Sequence, residues 1–320
     1  MKAAIYRKYG PAEVVTVAEM PVPTPEANQI LVRVQASSVN RTDTGFRSAE
    51  YVVSRFWSGL FKPTHPILGC EFAGEVVEVG SAVRTFAVGD RVCGFNDETF
   101  GGNAEYLVIA EDKAVVKVPV NFSFEQAAVL TEGAHYALHN IRVAGVKSGD
   151  QVMVYGASGA IGSAAVQLLK YYGARVVAVC GTKHVSLVQS LGADVVIDYQ
   201  TEDFTKTTEK FSFIFDAVGK TSFGECRPLL TKKGIYISTE LGQWGANIWY
   251  ALLTPLFGGR RVLFPIPLTV KEDMDFLRQL AEEGKFTPVI DRTYPLDHIT
   301  EAHRYVQSGQ KVGNVVIINS

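Results

Sequence analysis

The pattern of apolar and polar positions divides the chain into two parts. Between residues 2 and 120, short alternating or apolar runs recur between breaks rich in Gly, Pro and Asp, which is typical of strands joined by turns. Helical patterns are few in this part, so it predicts a partly open antiparallel β-barrel. The expected strands cover residues 2–6, 14–19, 29–39, 71–79, 91–94, 104–109 and 114–118.

The pattern changes near Ser123, where Ser123 and Gln126 form the signature of a helix-starting capping box. Strand patterns then alternate with helical ones, which predicts a doubly wound parallel sheet. The late runs 288–294 and 314–318, separated by a helix at 299–308, are expected to return to the first domain. We therefore predict one domain from residues 1–122 and 273–320, and a second from residues 123–272. The expected strands of the second domain lie at 152–155, 174–180, 195–198, 213–217, 234–239 and 261–264.

Three glycines, Gly156, Gly159 and Gly162, follow the apolar run 152–155 and open a helical pattern. A strand, a glycine turn, a helix and a second strand form the first unit of a dinucleotide-binding sheet. Glycine permits the sharp turn, and the helix N-terminus offers free N–H groups to a pyrophosphate. We expect the backbone of Ser158, Gly159, Ala160 and Ile161 to contact that group. The alternative is a tightly packed strand–helix turn that binds nothing.

Composition and charge narrow the function classes. A length of 320 residues suits two domains, and a net charge of −2 predicts no nucleic-acid partner and no membrane partner. The four cysteines stand singly and the N-terminus lacks an apolar signal core, which favours a reduced, cytoplasmic enzyme. The longest apolar stretch, around residues 248–253, is too short to span a bilayer.

Several motifs together resemble the medium-chain dehydrogenase/reductase superfamily, and the resemblance covers essentially the whole chain. It implies a GroES-like partly open β-barrel catalytic domain and a Rossmann nucleotide-binding domain. The matching motifs lie at residues 69–76, 88–92, 102–106, 156–162, 191–194 and 215–219.

The zinc-binding members of this superfamily carry ligands at three positions that are occupied differently here. Asn40 stands where they have a catalytic Cys, Cys70 where they have the His of Gly-His-Glu, and Thr131 lies in the segment of the third ligand. The four clustered cysteines of a structural zinc lobe are absent from the sequence. Tetrahedral zinc needs three or four converging ligands, so we predict no metal. The alternative is a residual site made by Asp43, Cys70 and Glu71.

Asn40 instead matches the asparagine of the zinc-free branch, which contains the quinone oxidoreductases and zeta-crystallin. The resemblance implies that a tyrosine eleven residues later lines the active site, and Tyr51 has that spacing. A second tyrosine of the branch falls on Gly45, which is a departure. We predict Asn40 and Tyr51 as the catalytic residues that hydrogen-bond the developing oxyanion or enolate. Asn40 as a structural turn residue is the alternative.

The second strand of the nucleotide unit ends without the acid that NAD-specific enzymes use to bind the ribose 2′-hydroxyl. Thr182 and Lys183 stand there instead, and both suit a 2′-phosphate, so we predict NADPH as the cofactor. A solvated lysine at a helix start is the alternative for Lys183. The resemblance adds Tyr199 beside the 2′-phosphate, and Lys311 is a weaker basic candidate.

Two further strand ends complete the expected cofactor site. The resemblance places Val218 and Gly219 at the ribose or adenine side and Thr239–Leu241 near the nicotinamide. Gly156 and Gly162 belong to the glycine turn at residues 156–162, which we call the cradle and expect to hold the pyrophosphate. All these residues follow strands, and open α/β sheets bind ligands at the carboxyl ends of their strands.

Without a zinc ion, hydride transfer favours acceptors that need little polarisation, such as quinones or the β-carbon of α,β-unsaturated carbonyls. We therefore expect an NADPH-dependent reductase of small apolar quinones or carbonyl compounds. The alternatives are an NADP-linked alcohol dehydrogenase with a remnant zinc site and a non-catalytic NADPH-binding protein. The apolar cluster Trp244, Trp249 and Tyr250 is either a substrate mouth or packing between domains or subunits. The segment 261–264 is an edge strand that can pair across a homodimer.

Overall fold

The computed structural model describes residues 1–50, 55–267 and 271–319. Most predicted strands are present, with ends shifted by a few residues. In chain order the strands are β1 (Lys2–Ile5), β2 (Thr16–Glu19), β3 (Gln29–Val39), β4 (Glu71–Val79), β5 (Arg91–Phe95), β6 (Tyr106–Ala110), β7 (Val115–Lys117), β8 (Gln151–Tyr155), β9 (Arg175–Cys180), β10 (Val195–Asp198), β11 (Phe211–Asp216), β12 (Leu230–Ser238), β13 (Arg261–Leu263), β14 (Ile290–Pro295) and β15 (Asn314–Ile318).

The helices include three that the sequence pattern did not predict, at residues 41–48, 55–58 and 246–257. In chain order they are α1 (Arg41–Ser48), α2 (Arg55–Ser58), α3 (Phe124–Ala128), α4 (Glu132–Ala144), α5 (Ala160–Tyr171), α6 (Val185–Ser190), α7 (Phe223–Cys226), α8 (Ala246–Phe257), α9 (Lys271–Glu282) and α10 (Ile299–Gln307). The chain divides into two compact units, Met1–Glu132 with Thr269–Ser320, and Gly133–Leu268.

The first unit is built on a mixed sheet around the long strand β3, antiparallel except that β14 pairs in parallel with β15. The sheet runs β14-β15-β3-β4-β5-β7, and β6 also pairs with β3. Strand β15 pairs antiparallel with β3, with Val315 opposite Val39. The last strand therefore lies in the sheet of the first unit. Buried Ile30, Val32 and Phe72 contribute to a core on one side of this sheet.

The second unit contains a six-stranded parallel sheet in the order β10-β9-β8-β11-β12-β13. Its strands are nearly continuous apolar runs, as expected when helices cover both faces of a parallel sheet. The strand order reverses between β8 and β11, which is the point where such sheets bind ligands. This confirms the predicted Rossmann-type architecture.

Local capping signals place two of the helices. The predicted capping box before α3 is present, because Gln126 N donates to Ser123 Oγ at 3.3 Å and Ser123 N donates to Gln126 Oε1 at 3.1 Å. Helix α1 begins after Asn40, whose backbone N–H donates to the Asp43 carboxylate at 2.9 Å. Threonine and glycine inside α1 are weak helix formers, which is why its sequence did not indicate a helix. Among the described residues, no helix combines the length and apolar character needed to cross a bilayer.

Candidate functional site: a nucleotide edge and a buried carboxyl cluster

The glycine turn after β8 is closely packed against neighbouring side-chain and backbone atoms. Gly156 has a left-handed φ of +79°, and a Cβ there would lie 2.6 Å from Val218 Cγ1. A Cβ on Gly162 would lie 2.1 Å from the carbonyl oxygen of Gly156. Both distances are far below normal contact, so the protein's own packing requires glycine at these two positions.

Gly159 differs from its two neighbours in the motif. It is the N-cap residue of α5, it has an ordinary φ of −75°, and a Cβ there would meet only Gly156 O at 3.6 Å. The fold therefore does not need glycine at 159, whereas a ligand that approaches the backbone does. No side chain caps α5, so the N–H groups of its first turn are available to a phosphate. The cradle fits a pyrophosphate.

The turn after β11 is organised by Asp216, a residue whose role the sequence analysis missed. Its carboxylate accepts hydrogen bonds from the backbone N–H groups of Val218 at 3.2 Å, Gly219 at 2.8 Å and Thr221 at 3.2 Å. Burial raises the pKa of this carboxyl, and the donated bonds oppose the shift. Asp216 thus holds Val218 and Gly219 at the carboxyl end of β11.

The turns after β9 and β10 are joined to each other. Thr182 Oγ1 donates to Asp198 Oδ2 at 2.6 Å, and Thr182 N donates to Gln200 Oε1 at 3.1 Å. The Thr182 hydroxyl is therefore engaged by an acid, which the sequence analysis did not anticipate. Lys183 and Tyr199 are exposed on the same two turns.

The last expected cofactor segment follows β12. Thr239 N donates to the carbonyl oxygen of Asp216 at 3.1 Å, which ties the end of β12 to the end of β11. Asn247 donates to the carbonyl oxygens of Leu241 and Glu240 at 3.0 Å and 2.8 Å. The structure thus brings the predicted cofactor residues of all five turns to the carboxyl edge of one parallel sheet.

The first unit contains a buried polar cluster around Glu71. Glu71 Oε1 accepts from Thr131 N, Thr131 Oγ1 and Glu132 N at 3.1, 2.8 and 2.6 Å. Its Oε2 accepts from Ser38 Oγ at 2.8 Å and Asn40 Nδ2 at 2.5 Å. Burial raises the pKa of Glu71, but five donors to one carboxylate are typical of the ionised form. We therefore assign the negative charge of this cluster to Glu71.

Asn40 lies at the centre of this cluster. Its Nδ2 donates to Glu71 and, at 3.1 Å, to Ser38 Oγ, so both amide hydrogens are engaged. Its Oδ1 is buried and has no hydrogen-bond partner. In this orientation Asn40 offers an acceptor, which suits a hydroxyl group or water rather than a developing oxyanion.

Glu132 is the acid that the sequence analysis missed. Its carboxyl accepts from Thr42 Oγ1, and the Cys70 thiol lies 3.6 Å from its Oε2. Burial, together with the charges of Glu71 and Asp43, raises the pKa of Glu132 to about 8. This carboxyl is therefore protonated at neutral pH and can donate a proton.

Asp43 and Lys311 complete the charge balance of the cluster. Asp43 accepts from Asn40 N and from Gly69 N, and burial raises its pKa to about 7. Lys311 Nζ donates to the carbonyl oxygen of Gly313 at 2.6 Å. Burial lowers the pKa of Lys311, and the nearby carboxyl groups of Glu132 and Glu71 oppose that shift. The structure thus associates Lys311 with the buried carboxyls, whereas the sequence suggested a phosphate contact.

The residues at the zinc-ligand positions do not fit a zinc ion. Asn40 and Thr131 donate to Glu71 through an amide nitrogen and a hydroxyl, and neither group is among the usual protein ligands of zinc. Cys70 is thus the one usual zinc ligand at the three positions, and burial raises the pKa of its thiol well above the usual value. Within the described residues, no group of three or more His, Cys, Asp or Glu side chains has the arrangement to hold a metal ion. Tyr51, the second predicted catalytic residue, lies outside the described residues.

Comparison with known proteins agrees with this architecture. The family described as alcohol dehydrogenase GroES-like domain matches residues 26–120, and the family described as zinc-binding dehydrogenase matches residues 191–317. A 2-methylene-furan-3-one reductase of Solanum lycopersicum is 32% identical over 99% of this chain and 79% of the relative. The chain belongs to the medium-chain dehydrogenase/reductase superfamily, in its quinone oxidoreductase-like branch.

Other similarities support the same branch. An NADPH-dependent alkenal/one oxidoreductase of Arabidopsis thaliana is 30% identical over 99% of this chain and 79% of the relative. The solved structure of the quinone oxidoreductase from Coxiella burnetii superposes with a TM-score of 0.89 at 28% identity, covering 100% of this chain and 99% of that one. The protein is accordingly an NAD(P)-dependent oxidoreductase.

Proposed function

We propose that this protein is an NADPH-dependent reductase that acts on quinones or on the C=C bond of α,β-unsaturated carbonyl compounds. Three relatives support the substrate classes, since they are a quinone oxidoreductase, an alkenal/one oxidoreductase and a 2-methylene-furan-3-one reductase. Dimer formation and a cytoplasmic location stay predictions from the sequence.

The observation that carries this choice is the state of the three zinc-ligand positions. Asn40 and Thr131 are bonded to Glu71, and Cys70 is a protonated thiol between carboxyl groups. A site built in this way does not polarise a simple ketone or aldehyde through a metal. Quinones and conjugated carbonyls accept hydride without that help, because the charge that develops is delocalised.

The preference for NADPH rests on Lys183 and Tyr199. Lys183 is exposed on the turn after β9, where a 2′-phosphate would add about two negative charges. The negative charge of Asp198 disfavours a 2′-phosphate on these turns. Its carboxylate already accepts hydrogen bonds from Thr182 and from Gln200 N. The NADPH-dependent relative supports the same preference.

The buried carboxyl cluster supplies the proton. NADPH, when bound at the edge of the parallel sheet, supplies a hydride. Reduction of a quinone or an enone also consumes a proton, and Glu132 holds one at neutral pH. Thr42 and Cys70 position this carboxyl, and burial together with the Glu71 charge beside it keeps Glu132 protonated. Asn40 Oδ1 is free to accept a hydrogen bond from a hydroxyl group or water.

The test is a substrate panel of 1,2-naphthoquinone, a 2-alkenal, an enone and a simple alcohol, each with NADPH and with NADH. We expect turnover of the quinone or the conjugated carbonyls with NADPH, and none of the alcohol. Alcohol oxidation that depends on stoichiometric zinc and is lost in Cys70→Ala would instead establish an alcohol dehydrogenase. Tight NADPH binding without turnover of any quinone, alkenal or enone would favour a non-catalytic protein.

A further inference from the structure

The turn after β9 contains no acid of its own, but the fold brings one to it from the neighbouring strand. Strand β10 pairs in parallel with β9, and Asp198, the last residue of β10, lies opposite Cys180, the last residue of β9. NAD-specific enzymes carry the acid that binds the ribose 2′-hydroxyl at the end of the strand that β9 represents. Asp198 therefore ends its strand level with that position, one strand further along the sheet.

Hydrogen bonds hold the Asp198 carboxylate against the turn after β9. Its Oδ2 accepts from Thr182 Oγ1 at 2.6 Å, and its Oδ1 accepts from Gln200 N at 3.0 Å. Gln200 Oε1 in turn accepts from Thr182 N at 3.1 Å. The hydrogen bond from Thr182 holds the pKa of Asp198 below its usual value, so the carboxylate is ionised at neutral pH. A fixed negative charge thus lies beside Thr182.

The Asp198 carboxylate still has the capacity to accept a hydrogen bond from a ligand. Each carboxylate oxygen has two lone pairs, and the two hydrogen bonds use one on each oxygen. Tyr199 lies against the same turn, because a Cβ on Gly181 would be 3.2 Å from its hydroxyl oxygen. Lys183 is exposed two residues further along. The turn after β9 thus combines an acceptor for a hydroxyl group with a cation for a phosphate.

We propose that Asp198 is a specificity-determining residue for the nucleotide: it accepts a hydrogen bond from the adenosine ribose 2′-hydroxyl of NADH and repels the 2′-phosphate of NADPH. This inference rests on the proposed function, which places the nucleotide at this edge of the sheet. Lys183 attracts the 2′-phosphate and Asp198 opposes it. The preference for NADPH is therefore modest, and NADH binds within about tenfold of it.

A purely structural role for Asp198 is the competing explanation, since its carboxylate also joins the turns after β9 and β10. The two roles predict different results when the charge is removed. Loss of a structural link weakens the binding of both cofactors alike. Loss of a selective charge strengthens NADPH binding, because the repulsion between a carboxylate and a doubly charged phosphate a few ångströms apart in water corresponds to roughly a tenfold change in affinity.

The test measures the Kd of the full-length protein for NADPH and for NADH by titration of the nicotinamide fluorescence, without a substrate. The variant is Asp198→Asn, which keeps the size of the side chain and removes its charge. We expect the Kd for NADPH to fall roughly tenfold. The Kd for NADH should rise about twofold to threefold, because a neutral amide accepts a hydrogen bond less strongly than a carboxylate does. Lys183→Ala should change the ratio of the two constants in the opposite direction.

The matched control is Asp194→Asn, which removes the same charge just before β10, at the opposite edge of the sheet, where Asp194 binds Lys170 at 2.9 Å. It should leave the ratio of the two constants within about twofold of the wild type. Thermal unfolding shows that each variant is folded. An unchanged ratio in Asp198→Asn, or equal weakening of both cofactors, would overturn the proposal. Lack of quinone and enone turnover would instead overturn the proposed function and leave these binding constants as they are.

Discussion

The edge of the parallel sheet and the buried carboxyl cluster are built from different parts of the polypeptide. The edge relies on backbone N–H groups and on glycines that are close in sequence, with Gly156, Gly159 and Gly162 at intervals of three. The cluster relies on side chains from distant segments, among them Asn40, Glu71 and Glu132. A backbone site depends on local conformation, whereas a side-chain cluster depends on burial and on the neighbours that the fold provides.

This difference has chemical consequences. At the sheet edge, the helix N-terminus and unpaired N–H groups attract an anion without any titrating group. In the cluster, removal from water raises the pKa of Asp43 and Glu132 into the neutral range. The first site should therefore respond mainly to changes in shape, and the second mainly to changes in protonation.

The largest expected effect comes from comparing Gly162→Ala with Gly159→Ala. A Cβ at 162 would clash with Gly156 O, so we expect a loss of about 2–4 kcal/mol in the free energy of unfolding. Gly159→Ala has room within the fold and should leave stability within about 1 kcal/mol. It should still raise the KM for NADPH, because a pyrophosphate must approach there. Thermal unfolding and cofactor kinetics measure the two effects, and a Gly159→Ala variant with unchanged KM contradicts this reading.

The next effect concerns Glu132→Gln, which keeps the size of the side chain but removes its transferable proton. We expect kcat to fall roughly 100-fold, the usual contribution of a general acid. The acid must be protonated, so the kcat of the wild type should fall as the pH rises above about 8, the pKa of Glu132. Steady-state kinetics from pH 6 to pH 10 test this. A Glu132→Gln variant with the same pH profile and kcat as the wild type would exclude Glu132 as the donor. The exposed Glu202→Gln is the control.

The next effect is on stability and comes from a buried histidine of the first unit. Burial and the neighbouring Arg47 lower the pKa of His303 to about 3, well below the value of about 6.5 in an unfolded chain. The unfolded state therefore takes up the proton first, and the stability contributed by neutral His303 is lost as the pH falls below about 6.5. Asp43 and Glu132, with raised pKa values, change stability in the opposite direction.

The quantity to measure is therefore the difference in the free energy of unfolding between the wild type and the His303→Leu variant. The stability of the wild type relative to His303→Leu, from urea unfolding, should fall by about 1.4 kcal/mol per pH unit between about pH 6 and pH 4. Asp43 and Glu132 are common to both proteins and cancel. A difference that does not change with pH would mean that His303 does not titrate as its burial requires.

The smallest expected effect is on cofactor choice. Lys183→Ala should raise the KM for NADPH about fivefold and leave the KM for NADH nearly unchanged, because only NADPH carries the 2′-phosphate. Lys206→Ala, on a later turn of the same unit, is the control. Equal changes for both cofactors would show that Lys183 does not meet the 2′-phosphate.

The fold was largely predictable because its signals are local. The periodicity of apolar residues indicated the long strand β3 and the parallel sheet. The glycine spacing indicated the nucleotide cradle. Helix α1 was missed because its threonines and glycine are poor helix formers, and helix α8 was missed because Pro255 interrupts an apolar run.

The site was only partly predictable from the sequence. The sequence by itself determined which residue types stand at positions 40, 70 and 131. Those types predict a site without the usual zinc ligands. Only the tertiary structure decided that the amide hydrogens of Asn40 are engaged, that Asp198 binds Thr182 and that Glu132 carries a proton. The physical reason is that glycine conformation and strand periodicity act between neighbours in the chain. Burial, hydrogen-bond partners and pKa depend on which distant residues the fold brings together.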